Sequence, residues 1–513
     1  MTADAGAQAL QQSTLLIARA RELRQAGQLQ QAVATYQQAI ATCPGNSATY
    51  QGLVTLLLDI GDIANAVKVM NAVPPAVYRQ AAPLHNLHAI ILIHLGQLDG
   101  AIQILERLQG VDGINQGSLF NNLAACYDRK EDYARAPACF EKALQAGKDD
   151  PDLYVSWAGT CQKMGDVSAA ERLYTEGLRK YPRHSELLYE YAVLLLKAGQ
   201  YEKGFALYEH RWQARVFAQN KRPELPLPHW DGTAQIRSLL VMPEQGVGDE
   251  IVFSALLPAL LEKVPSVSVA LDARLAPLLE RSWPALAMAE PVAGMNAAEL
   301  AARYDAWIPA GDLGRLAPEG IGWTGGPLRS DPARTAALRE QYQERFPGKR
   351  LVGISWKSKR AAFGARKSID LLDWKSLLEQ PDCQFISLQY GDVAEEIARV
   401  REVLGVTVHV DPAIDSFQDL DGLAAQISAL DQVITTSNTT AHLAAGLHVP
   451  TWVLLPIGPA LLWYWGYGER SAWYPEVRLF RLQAPGEWGE VMTRAAQALE
   501  AEVASSGGGG RCS

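Results

Sequence analysis

The stretch Thr436-Ser437-Asn438-Thr439-Thr440-Ala441-His442 follows an apolar strand-like run, Gln432 to Thr435, and opens a helix-like run, Leu443 to Leu447. A second short strand, Pro450 to Leu455, comes next. Strand, helix and strand at this spacing form a βαβ unit, which implies a parallel sheet. Hydroxyls, an amide and an imidazole stand at the mouth of its helix. Free N–H groups and the positive end of the helix dipole suit an anion such as a phosphate there. The same residues also make an ordinary N-cap, with Ser437 or Asn438 satisfying local amides. This stretch alone leaves both uses open.

The pattern repeats on either side. Upstream, Ser238 to Met242 is a buried-strand run, Pro243 to Asp249 a turn, and Glu250 to Val264 a helix. Val267 to Leu271 and Ala306 to Ile308 read as strands, with a helix at Arg274 to Ser282 between them. After a linker-like segment, Pro327 to Arg334, the alternation restarts with strands at Leu351 to Ser355, Gln384 to Leu388 and Val406 to Val410. The spacing predicts helices over 371–378, 393–403 and 420–430. Repeated βαβ units predict two Rossmann-like domains facing a cleft, with ligands at the carboxyl ends of the strands.

The first half of the chain has a different order. A turn residue followed five positions later by a small one recurs at Gly27/Ala32, Gly61/Ala66, Gly96/Ala101, Glu131/Ala136, Gly165/Ala170 and Gly199/Gly204, spaced by 34 or 35 residues. A bulky residue follows four further on: Tyr36, Met70, Leu105, Phe140, Tyr174 and Tyr208. This period resembles the tetratricopeptide repeat, a helix-turn-helix unit of about 34 residues. The small residue lets two helices approach, and the bulky one fills the gap to the next unit. Stacked units predict a superhelix whose concave face holds a peptide or protein surface. Asn86, Asn121 and Asn122 fall on first helices and are candidates to bond a bound peptide backbone; the alternative is solvated polar positions. Pro74-Pro75 makes the third unit irregular.

At 513 residues the chain exceeds a single core. Hydrophobic content of 48% and charged content of 20% mark a soluble globular class. A net charge of −9 argues against a general nucleic-acid binder. Met1 to Gln12 is polar, and prolines break the apolar stretch Val449 to Trp465, so neither reads as a signal or membrane span. Six scattered cysteines without a Cys-x-x-Cys pair fit a reducing cytoplasm and no structural zinc. The expected location is cytoplasmic.

Four clusters at strand ends could carry chemistry. In Glu244-Gln245-Gly246-Val247-Gly248-Asp249-Glu250, the third glycine of a dinucleotide fingerprint is missing. Asp249 is either a general base for an acceptor hydroxyl or a helix cap. Ser355 to Arg360 with Arg366-Lys367-Ser368 places several cations beside the cleft, as a diphosphate partner would require; a solvated basic loop is the alternative. Trp356 there either stacks on a base or packs beneath the loop. Gln389, in Ser387 to Asp392, reads a nucleobase edge or closes a turn. His442 falls one helical turn after Asn438, so both can face one ligand. Trp230, entering the α/β half, is a packing anchor.

These motifs together resemble the GT-B glycosyltransferases, in the heptosyltransferase-like group often fused behind tetratricopeptide repeats. The matching text is Glu244 to Asp249 with Pro258, Gly353 to Trp356, Arg366 to Ile369, Ser387 to Gln389, and Ser437 to Leu443 followed by Gly446 and Pro450 to Trp452. The similarity spans about 238–485, and the repeats add a likeness to protein O-glycosyltransferases and flagellin-modifying bacterial enzymes. The resemblance implies Asp249 as base, with Glu244, Gln245 and Gly248 on the acceptor side. It implies donor binding by Trp356, Lys357, Arg366, Lys367, Gln389, Ser437, Asn438, Thr439, Thr440 and His442. The family's phosphate-binding lysine corresponds to Lys367, seven before Trp374. Ser437 stands where the family has aspartate and Asn438 where it has threonine. No cofactor or metal is implied, and the nucleotide-sugar is a co-substrate.

The expected organisation is a flexible N-terminus at 1–13, a solenoid of about six repeats at 14–215 and a connector at 216–237. An acceptor-side domain at 238–330 and a donor domain at 331–485 follow, then a helix at 486–505 and a tail at 506–513. The expected function is inverting, metal-independent transfer of a sugar to Ser or Thr of a protein chosen by the repeats, flagellin by architecture. The alternatives are a glycan or lipopolysaccharide transferase, or a catalytically silent scaffold.

Overall fold

A computed structural model describes residues 3–217, 222–290, 292, 294–316, 328–358, 364–483 and 488–507. The chain divides into two compact units, Met1–Tyr181 and Pro182–Ser513.

The first unit is built of antiparallel helix pairs: Ala3–Gln25 with Leu29–Thr42, Ser47–Asp59 with Ile63–Asn71, Ala82–His94 with Leu98–Arg107, Gln116–Arg129 with Ala136–Gln145, and Pro151–Lys163 with Val167–Lys180. The small residues Ala32, Ala66, Ala101, Ala136 and Ala170 are all fully buried, and Tyr36, Leu105, Phe140 and Tyr174 pack beside them. Each turn needs a left-handed residue. Glycine supplies it in most units, while Glu131 takes it in the fourth, with φ 61°. Side chains of Asn46, Asp62, Asn115, Asp150 and Asp166 cap the helices that follow them. The first helix starts at Ala3, where a flexible segment to residue 13 is expected. Its Ala/Gln-rich sequence favours helix, and buried Ser13, whose hydroxyl donates to Ala39 O at 3.2 Å, ties it down. At the irregular third unit a short helix, Pro75–Gln80, is inserted.

The sixth repeat departs from expectation. Its helices, Ser185–Lys197 and Tyr201–Tyr208, belong to the second unit rather than to an array running to 215. Ala192, Leu196, Phe205 and Tyr208 share one continuous core with residues of both sheets. Phe205 packs edge-on against Trp463 at 5.5 Å and Trp473 at 6.2 Å. Such rings bury large apolar areas, and this burial outweighs the continuity of the sequence period.

Two parallel sheets follow. The first holds β1 (Ser238–Met242), β2 (Ser266–Val269), β3 (Leu286–Met288) and β4 (Ala306–Pro309) in the order β3-β2-β1-β4. The second holds β5 (Arg350–Ser355), β6 (Cys383–Ser387), β7 (Gln432–Thr436), β8 (Thr451–Leu455) and β9 (Arg478–Arg481) in the order β6-β5-β7-β8-β9. The largely apolar runs of β1 and β8, and the burial of every residue of β7 and β8, fit strands covered on both faces. The strand expected at 406–410 is only an isolated bridge, His409 beside Ile386. The helix expected over 250–264 is broken into Val247–Ser254 and Leu257–Leu261. Pro258 has no N–H for a continuous helix and starts the second piece. Trp230 is buried and its indole donates to Ala234 O, the anchoring role expected of it. The last helix, Trp488–Gly507, covers a second core under β5, β7 and β8. No helix among the described residues is long and apolar enough to cross a membrane.

Candidate functional site

β1 and β7 end beside one another's loops. After β1 the backbone turns through Gln245, at φ 62°, into the helix Val247–Ser254. After β7 it turns through Ser437 into the helix Thr439–Gly446. The two helix starts abut at Gly248, where a Cβ would lie 3.3 Å from the His442 ring and 3.6 Å from Thr439 Oγ1. Beside this contact lies a cavity of about 440 Å³. Asp249, Gln245 and Gly248 line it from the first sheet. Ser437, Asn438, Thr439, His442 and Lys367 line it from the second. Eight of the expected residues thus share one cavity.

Asn438 is the N-cap of the opening stretch and also lines the cavity. It caps the helix, its Oδ1 accepting from Ala441 N, while its Nδ2 donates to Ser355 Oγ at 2.8 Å and Lys357 O at 3.2 Å. It therefore ties β5 to the helix mouth while lining the cavity. Ser437 Oγ accepts the indole N–H of Trp465 at 2.8 Å. His442 is buried in an aromatic box, stacked on Trp465 at 5.1 Å and 13° and edge-on to Tyr464 at 4.6 Å. Its Nδ1 lies 3.2 Å from Tyr474 Oη. Burial first, and the Lys367 ammonium second, hold its imidazole far below the ordinary range, at about 3. His442 is therefore neutral at physiological pH. Lys367 itself is buried at the end of the short helix Gly364–Lys367.

Other expected contacts are committed elsewhere. Trp356 is fully buried and donates its indole N–H to Glu396 at 2.7 Å, so it packs under the loop and stacks on no base. Lys357 pairs with the same Glu396. The Gln389 amide braces the loops around it. Its Oε1 accepts from Ser355 Oγ, Trp356 N and Lys357 N at 2.8–3.0 Å, and its Nε2 donates to Tyr390 O. Arg366 is exposed and outside the cavity, and Thr440 is buried behind it. Lys359 and Arg360 lie outside the described residues. Glu244 cannot meet an acceptor, because it is buried in an ion pair with Arg211. In the first unit, Asn86 and Asn121 each hold a buried Oδ1 with no hydrogen-bond partner among the described residues. Asn122 is half-buried on the same helix as Asn121.

Sequence reasoning missed Arg274, Tyr390, Phe417 and Tyr464 in the cavity wall. Arg274 crosses between the sheets, its Nη1 donating to Phe417 O at 2.7 Å while Asp272 holds the rest of its fork. Arg281 makes a second bridge, bidentate to Asp421 at 2.8 and 3.0 Å. The signal for Arg274 was its place just past the end of β2; for Tyr464 it was the aromatic density of 463–474. Phe417 has no regular spacing to reveal it. A second cavity of about 420 Å³ shares Tyr390, Ser416 and Phe417 with the first. Gln389, Asp411 and Gln426 face it. Tyr342 Oη donates to Asp411 and accepts from Gln426, fixing both.

Tetratricopeptide-repeat family models match residues 23–91, 117–149 and 162–210. Protein FlbA of Caulobacter vibrioides is 31% identical over 515 residues, covering 96% of this chain and 84% of that protein. Among solved structures, Pseudomonas aeruginosa PilF is 17% identical, with a TM-score of 0.35 over 42% of this chain and 95% of its own. PilW, described as a widely conserved type IV pilus biogenesis factor, is 15% identical, with a TM-score of 0.37 over 41% of this chain and 96% of its own.

Proposed function

The chain belongs to the family of Protein FlbA of Caulobacter vibrioides, and we propose that it is an inverting, metal-independent glycosyltransferase of GT-B type acting on a protein. The observation that carries this reading is the shared cavity: Asp249 enters from one sheet, and Lys367 with the Thr439–Gly446 helix mouth from the other. Opposed groups of these kinds are what in-line sugar transfer requires. The nucleotide-sugar lies with its phosphate toward Lys367 and Thr439, and its nucleoside fills the second cavity beside Tyr390. Asp249 accepts the proton of a Ser or Thr hydroxyl. That oxygen bonds to the anomeric carbon as the bond from carbon to phosphate oxygen breaks. Charge developing on the leaving phosphate is met by Lys367 and the helix amides. Neutral His442 takes no proton at physiological pH; it braces Trp465 and the Gly248 contact. The repeats of the first unit select the acceptor, with the half-buried Asn86, Asn121 and Asn122 as candidate contacts to a peptide backbone. Flagellin is our first candidate acceptor, on architecture.

The test is intact-mass analysis of flagellin and other candidate acceptors from cells with and without this protein. A mass increment lost with the protein, and lost again in Asp249→Asn, supports the reading. Unchanged masses in both comparisons would leave the chain a binding protein.

A further inference from the structure

Arg211 lies in a short 3-10 stretch, Glu209–Gln213, that continues the last repeat helix. It has no solvent exposure, which is rare for arginine. Its Nε and Nη2 donate to Glu244 Oε2 at 3.0 and 2.7 Å, and its Nη1 lies 2.7 Å from Asp312 Oδ1. The guanidinium is sandwiched against the rings of Trp212 and Tyr208. Glu244 lies in the turn that leads into the helix bearing Asp249. The backbone opposite is shaped for it: a Cβ on Gly311 would fall 1.7 Å from Glu244 Oε1. One residue on, Gln245 holds a left-handed φ and donates to Tyr208 Oη at 3.3 Å. The loop that leads into the cavity is therefore gripped at two successive residues by the sixth repeat.

Buried charge clusters cost desolvation and stabilise little over apolar replacements, but they can fix the register of the parts they join. We propose that Arg211 is a positioning residue for the 244–246 turn and the helix start that carries Asp249, so that the sixth repeat serves the transfer site rather than partner selection. The kinetic arm of this inference rests on the proposed transfer activity; its structural arm does not. Charged or titratable groups surround Glu244 and Asp312: Arg211 between them, Asp249 in the helix that follows, and, on the far side of Asp312, His229 and Arg315. Without Arg211, ionised Glu244 faces Asp312 and Asp249 with no cation of its own. The loop is expected to move out of place unless Glu244 is protonated or neutralised.

The experiment compares Arg211→Met, Arg211→Lys and the double variant Arg211→Met/Glu244→Gln. Arg211→Met should lower kcat by about 10- to 100-fold, the scale of a misplaced catalytic group, with KM for the nucleotide-sugar nearly unchanged. The loss should shrink as pH falls, and the double variant should recover most of the rate. Arg211→Lys, which keeps the charge but not the two-pronged geometry, should fall between. Hydrogen exchange supplies the second readout: protection at 246–249 should drop in Arg211→Met and return in the double variant, with β5 unchanged. Wild-type kcat in Arg211→Met, or a loss that neither low pH nor Glu244→Gln repairs, overturns the proposal. Should Arg211→Met fail to fold, the double variant decides, and its loss of loop protection is an overturning result. Should the wild-type protein transfer no sugar, the activity reading fails, and exchange at 246–249 alone still judges the positioning role.

Discussion

Asp249 and Glu250 are neighbours in one helical turn with opposite surroundings. Asp249 lines the cavity, whereas Glu250 is buried and accepts the Asp272 N–H at 2.7 Å. Asp249→Asn is expected to slow transfer by about 10²- to 10⁴-fold, the usual contribution of a general base, and to leave nucleotide binding intact by calorimetry. Lost binding would instead point to a misfolded loop. Burial pushes the Glu250 carboxyl up to about 7. A raised carboxyl holds its proton longer in the folded state than in the unfolded one. Its contribution is thus fully present below the ordinary glutamate range, near pH 4.5, and is lost as pH rises through about 7. A shift of this size corresponds to about 3 kcal/mol at most. Glu250→Gln keeps an acceptor for Asp272 N–H and cannot ionise. Its melting temperature should exceed that of wild type by more at pH 8 than at pH 5; parallel curves would refute this account.

At the scale of elements, close approaches decide where helices sit. Gly314 faces the Phe205 ring, and a Cβ there would lie 2.2 Å from its edge. Gly314→Ala should lower the melting temperature of the second unit, at a cost of about 1–3 kcal/mol for overpacking. Scanning calorimetry with separate transitions for the two units would show it, and an unmoved second transition would contradict the packing. The 34-residue period and the βαβ alternation were legible because each recurs and each follows from local geometry. Polar commitments were not legible. Gln389 sits at a strand end, where a ligand contact and a loop brace look alike in sequence, and three donors converging on Oε1 settle the matter only in three dimensions. Trp356 had two readings for the same reason. Glu244 fell on a motif, yet its partner stands 33 residues earlier in a helix extension that no spacing rule connects to it.

At the scale of the molecule, the boundary at Tyr181/Pro182 makes a direct prediction about truncation. A chain starting at Pro182 should express as a folded unit with one cooperative transition. A chain starting at 216 loses Phe205, Tyr208 and Arg211. It should aggregate, because Trp463 and Trp473 are uncovered and Glu244 keeps a buried charge without its partner. Size-exclusion chromatography and near-ultraviolet circular dichroism distinguish the two, and equal behaviour would refute the shared core. The Pro182 chain also separates acceptor choice from chemistry: it should retain donor binding while losing modification of the protein acceptor.

The partition of the sixth repeat has a consequence in time as well as in space. Ribosomes make the chain from its amino end at about 5–20 residues per second. The helix bearing Phe205 is complete long before Trp463 and Trp473 are joined to the chain. For tens of seconds the part of its apolar face that packs on these tryptophans has no native partner to cover it. The five preceding repeats bury their faces on neighbours made only moments apart. Nascent chains stalled between residues 210 and 460 should therefore be caught by holdase chaperones at the sixth repeat, and release should follow synthesis of the tryptophan cluster.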